Sequence, residues 1–175
     1  MLSSRNRNAG FTLTEIMVVI LVFGIAVAIA FPMLADAIRT QRLMTAASTI
    51  ESELARARSS AVTTRDPVRV TFIPAINQLL LDRDTTGDGN FDMRVRAVTI
   101  DPDIDMTDIQ FDGGQTVVFD QRGTPDNPGT LMITNGNGSA QRILVASGSG
   151  AVTVRTVEYK SSEGYGDLDP PVDTF

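Results

Sequence analysis

A chain of 175 residues with 42% apolar content fits one domain with a modest core plus an anchor, and long disorder is not expected. Its formal charge is −6, to which Arg5 and Arg7 contribute +2, so the chain from residue 11 onward carries −8 and repels nucleic acid in general. It has no cysteine and no histidine, and Lys160 is its only lysine. Disulfides, thiolate metal sites and most nucleophilic triads are thereby excluded, and an enzyme is disfavoured.

The first element in chain order is apolar. Ile16 to Ala35 runs about twenty residues without a charge, enough to cross the hydrocarbon core as a helix. Arg5 and Arg7 precede it with no nearby acid, so the positive-inside rule keeps the first ten residues cytoplasmic and exports the remainder. Past Pro32 the all-round apolar pattern narrows to a stripe: Leu43, Ala47, Ile50, Leu54, Ala57 and Ala61 recur every three or four residues. No glycine interrupts residues 25 to 64, so one helix is expected over 11–64, roughly 80 Å long, with its transmembrane part at about 12–35. Pro32 removes a donor and crowds the preceding turn, and a kink or local melting is expected there.

From Asp66 the period drops to two. Val68, Val70 and Phe72 alternate with Arg69 and Thr71, and Leu79 to Leu81 and Met93 to Ile100 follow. Further short strands are expected at Thr116 to Asp120, Thr130 to Thr134, Gln141 to Val145 and Val152 to Val157, separated by Gly, Pro and Asn clusters. The fold class is therefore α+β. A long N-terminal helix, half transmembrane and half amphipathic, packs Ile50 and Leu54 on an antiparallel β-sheet domain over 65–157. The acidic, proline-containing tail 158–175 reads as a surface loop, and Asp101, Asp103, Asp105 and Asp108 as a solvated loop.

Between two strand candidates, the run from Asp84 tracks the opening of an EF-hand-type calcium loop. Asp84, Thr86 and Asp88 fall at positions one, three and five, Gly89 at the sharp turn, Asn90 at the carbonyl position and Asp92 at nine. Val95 stands where a bidentate glutamate belongs, so a site would need another ligand such as Asp82 and would bind calcium weakly. The alternative is a polar hairpin loop whose Asp, Asn and Gly residues serve turn geometry. No other cofactor is expected.

Gly10-Phe11-Thr12-Leu13-Thr14-Glu15, after a short basic leader and before the apolar run, resembles the cleavage motif of type IV prepilins. The resemblance implies a leader, residues 1–10, cut after Gly10 by a prepilin peptidase, and methylation of the new amino terminus at Phe11. It implies that Glu15 pairs with the terminal amine of a neighbouring subunit and sets axial register. Physical reasoning adds weight, because a carboxylate at the bilayer edge is costly without a partner, although interfacial snorkelling would also relieve it. Pro32 matches a family proline where the helix can melt during assembly.

Leu54 to Val62, then Val118-Phe119-Asp120-Gln121-Arg122-Gly123-Thr124-Pro125, Gln141 to Val145 and Ser147-Gly148 to Val152 resemble the GspH/FimT subfamily. That implies a pilin-like, low-abundance subunit near the tip of an inner-membrane filament: the H-type pseudopilin of a type II secretion system, or a minor pilin of a type IV pilus. The partners implied are other pilin or pseudopilin subunits and the inner-membrane assembly platform. Some FimT-type pilins bind DNA through a Gly-Arg-x-Arg element; here the chain reads Gly150-Ala151-Val152-Thr153, which argues against nucleic acid. A hydrolase built from the Asp101 to Asp108 acids lacks a partner base, nucleophile or phosphate loop.

Overall fold

The computed structural model describes residues 11–136 and 138–158. The expected leader, residues 1–10, and the tail from 159 onward lie outside the described residues. The chain divides into two compact units, Met1–Ile38 and Arg39–Phe175.

Helix α1 spans Leu13–Thr64. In the first unit all of its residues but the half-buried Ala35 are exposed, and this is a helix long and apolar enough to cross a membrane, with a mean hydropathy of 2.9 over its most apolar 18 residues. The melting expected at Pro32 is not seen in the subunit, for α1 continues through that residue. A proline deletes one backbone hydrogen bond, and the strong helix formers on either side can carry the helix across the gap. In the second unit α1 buries the expected stripe: Leu43, Ala47, Ile50, Leu54, Ala57 and Ala61, with Ala46 beside them. Small residues alternate with Leu and Ile, which lets strands approach closely, and each fully buried Leu or Ile contributes roughly 1.5–3 kcal/mol. The helix stops where Arg65 turns left-handed (φ 61°) two residues before Pro67, which suits a chain leaving a helix.

Eight strands follow: β1 Val68–Ile73, β2 Gln78–Arg83, β3 Met93–Thr99, β4 Asp105–Phe111, β5 Thr116–Phe119, β6 Gly129–Thr134, β7 Ser139–Val145 and β8 Val152–Glu158. They form two antiparallel four-stranded sheets, ordered β3-β2-β1-β5 and β4-β6-β7-β8. The alternation read from the sequence sets the faces. Val68, Val70 and Phe72 are fully buried, while Arg69 and Thr71 between them are only half-buried. One core cluster joins the α1 stripe to both sheets, and across it Phe72 of β1 stacks on Phe111 of β4, 5.3 Å between ring centroids.

Strand β4 corrects the sequence reading, which placed Asp105 and Asp108 in a solvated loop. Met106 and Phe111 of this strand are buried and so anchor it, as is Ile104 just before it. Its pairing with β6 shifts register between Thr107 and Gln110, and Asp108 there adopts φ 47°. The bulge breaks the strict alternation by which a strand is recognised, and the acids disguise the remainder.

Candidate functional site: the amino-terminal motif and the distal helix

The chemistry singled out by the sequence lies in two places, one in each unit. At the start of α1, Phe11 is 78% exposed and Thr12 precedes the first helical residue. The Thr12 hydroxyl accepts the Glu15 amide N–H at 3.2 Å, and the Thr12 carbonyl accepts the amides of Glu15 (3.1 Å) and Ile16 (3.3 Å). Thr12 is thus the N-cap, and Thr-x-x-Glu is a capping-box pattern visible in the sequence but missed there. Glu15 occupies the first turn, where the positive end of the helix favours a carboxylate, and its side chain is exposed. Pro32 lies within the same apolar span, whereas Gly10 falls outside the described residues.

In the second unit, three motif segments that are far apart in sequence meet at the distal end of α1. Arg58 donates from Nε to the Gly123 carbonyl at 3.1 Å. Gly123 is left-handed (φ 78°), and a Cβ there would sit 2.9 Å from Val62 Cγ2. A Cβ on Gly150 would lie 2.5 Å from the Gly123 carbonyl oxygen. The glycines are therefore required by close approach, so this part of the resemblance reports packing of two turns against the helix.

Glu53, missed by the sequence reading, is a charged side chain only 4% exposed on α1. Arg96 of β3 holds it at 3.1 Å and Arg56 at 3.5 Å. A buried carboxylate tolerates its desolvation only with such partners, so this ion pair ties edge strand β3 to the helix.

Five of the six calcium candidates are engaged with the loop itself. Asp84 accepts the amides of Thr86 (3.1 Å), Gly87 (2.7 Å) and Gly89 (2.9 Å). Asp88 accepts the amide and side chain of Asn90, and Asp92 accepts the amide and hydroxyl of Thr85. Those bonds hold the Asp88 and Asp92 carboxyls below the ordinary carboxylate range, the Asn90 side chain and the Thr85 amide being the main causes. Asp82 is taken by Arg94 at 3.0 Å and Arg69 at 3.6 Å, and that Arg69 guanidinium lies over the Phe91 ring. Among the described residues, no group of three or more acidic side chains is brought together to hold a metal. As arranged, the donors serve turn geometry.

An apolar helix that opens on a capped Phe-Thr-x-x-Glu motif and continues as the spine of an antiparallel sheet domain defines a pilin-like subunit. Residues 5–31 match the prokaryotic N-terminal methylation motif, and residues 46–150 match the family described as type II transport protein GspH. The chain belongs to that GspH family of minor pseudopilins and pilins. Its fold resembles the type IV minor pilin FimU of Pseudomonas aeruginosa, with TM-score 0.53 and 17% identity over 66% of this chain and 90% of that one. It also resembles the minor pseudopilin EpsH from the type 2 secretion system of Vibrio cholerae, with TM-score 0.50 and 16% identity over 67% of this chain and 97% of that one. A second EpsH crystal structure gives TM-score 0.52 at 14% identity, over 66% and 96% of the two chains. No curated protein matches the sequence.

Proposed function

We propose that the protein is a minor pseudopilin that assembles at or near the tip of an inner-membrane filament in a type II secretion system. The observation that carries this reading is the GspH family match over 46–150, attached to a helix that matches the methylation motif over 5–31. In this reading a prepilin peptidase removes residues 1–10 after Gly10 and methylates Phe11. The amino terminus stays cytoplasmic, α1 holds the inner membrane, and the domain from Arg39 lies in the periplasm until the filament forms. Glu15 then pairs with the amine of a neighbouring subunit, and Pro32 is where α1 can unwind in the packed filament. Work is mechanical: insertion, initiation, and contact with other pseudopilins and the assembly platform.

A type IV pilus minor pilin is the second reading, favoured by the fold it shares with FimU. Deleting the gene in its native bacterium separates the two. The secretion reading expects exported proteins to accumulate in the periplasm while surface pili and twitching persist. Lost pili with normal export would replace it by the pilus reading.

A further inference from the structure

Two four-stranded sheets have four edges, and three of the edge strands carry charge: Arg94 and Arg96 on β3, Asp105 and Asp108 on β4, and Arg155 on β8. Charges and broken register both discourage an edge from pairing with another chain, and the pairings of β3 and β4 also shift register. Edge strand β5 has neither defence. It reads Thr116-Val117-Val118-Phe119, every residue β-branched or aromatic and none charged, and its pairing with β1 is unbroken. An edge of that composition with free backbone groups is a template for pairing with another chain.

A side chain closes it. Asn127 is buried, its Oδ1 accepts the Val118 amide at 2.7 Å, and its Nδ2 donates to the Thr116 carbonyl at 2.5 Å. One carboxamide thus satisfies two backbone groups that a neighbouring strand would otherwise pair. The Asp126 amide adds a bond to the Val118 carbonyl at 2.9 Å. Backbone alone cannot complete the ladder here, because Pro125 and Pro128 on either side have no N–H to give. The turn that delivers Asn127 is held by Asp120, whose carboxylate accepts the amides of Arg122 (2.9 Å) and Thr124 (2.7 Å). Room for the carboxamide comes from Gly113, where a Cβ would collide with the Asn127 amide nitrogen.

We propose that Asn127 is an edge plug: it stands in for a missing strand beside β5 and keeps that edge from pairing with β5 of a second copy. The device belongs to the sheet domain and does not depend on which machine the subunit serves.

The test uses the full chain in detergent micelles, with sedimentation velocity over a range of concentrations and circular dichroism to follow the fold. Asn127→Ala removes both side-chain bonds. Gly113→Ala keeps the asparagine and displaces its carboxamide, and it carries the comparison if the first variant does not fold. Each is expected to strengthen self-association at least about tenfold over the parent, because the freed backbone groups of two chains can pair. Adding Thr116→Lys, a charge on the opened edge, is expected to bring either variant back to within about twofold of the parent. A lysine cannot restore lost packing, so this rescue separates edge closure from plain destabilisation. Folded variants no more associated than the parent would overturn the proposal, and so would association that the lysine fails to relieve.

Discussion

Glu15→Val is expected to insert into the membrane as well as the parent chain and to fall out of filaments almost completely. Valine suits the apolar span that begins at Ile16, so the substitution removes a cost of insertion. The Glu15 side chain has no structural duty inside the subunit: it is exposed, and the bond that caps the helix is donated by its backbone amide to Thr12. The loss falls on the contact between subunits. In the proposed assembly a released amine and a carboxylate would meet there in a medium poor in water, and removing one partner of such a pair costs about 3–5 kcal/mol. At about 1.4 kcal/mol per decade this is roughly two to three and a half orders of magnitude in incorporation. Sheared filaments and membranes, probed separately by immunoblot, give the readout. Normal recovery of the variant in filaments would sink the register role of Glu15.

The second large effect is on stability of the sheet domain. Phe72 is fully buried on β1 and stacks on Phe111 of β4, so Phe72→Ala opens a cavity where the two sheets meet. Such truncations cost about 3–5 kcal/mol, the lost transfer energy plus the void. That is a large share of the 5–15 kcal/mol or so that holds an ordinary domain together. The thermal midpoint of the detergent-solubilised protein, followed by circular dichroism, is expected to drop by more than about 10 °C. A drop of only a degree or two would mean that the Phe72–Phe111 contact does not join the sheets into one cooperative core. Neither outcome touches the apolar part of α1 before Arg39, whose residues contribute nothing to the core cluster.

How much of this was legible beforehand depended on whether a signal was local. The helix was readable because an uncharged run and a three-four stripe are properties of neighbouring residues, and the stripe from Leu43 to Ala61 is buried as its spacing requires. Seven strands were readable from alternation between turn residues. Strand β4 was not, because its acids and the bulge at Asp108 hide the period while Met106 and Phe111 supply the burial. The division into two sheets was also hidden, since β1 pairs with β5 and β4 with β6 across intervening strands, and register between distant segments leaves no mark in a single sequence.

At the candidate site the same rule holds. The Thr12 cap could have been read from Thr-x-x-Glu. The Glu53–Arg96 ion pair could not, because a glutamate on an amphipathic helix looks solvent-facing until a strand is laid over it. The aspartate loop shows the opposite limit. Asp84 and Gly89 suit a cation loop and a self-bonded turn equally well in sequence, and in the structure Asp84 accepts the amides of Gly87 and Gly89 within the loop. In the carboxyl-terminal motif, spacing was visible but its reason was not: Gly123 is needed because Val62 and Arg58 leave no room for a side chain, and Gly150 because it abuts the Gly123 carbonyl.

The most direct test of the central claim is the intact mass of the membrane-extracted protein, expressed with and without a prepilin peptidase. The account predicts that the peptidase converts the full chain to residues 11–175 bearing one methyl group on Phe11, and that without it all 175 residues remain. A chain that keeps its leader in the presence of the peptidase, or that is cut beyond the apolar run, would contradict it and leave an ordinary anchored or secreted domain.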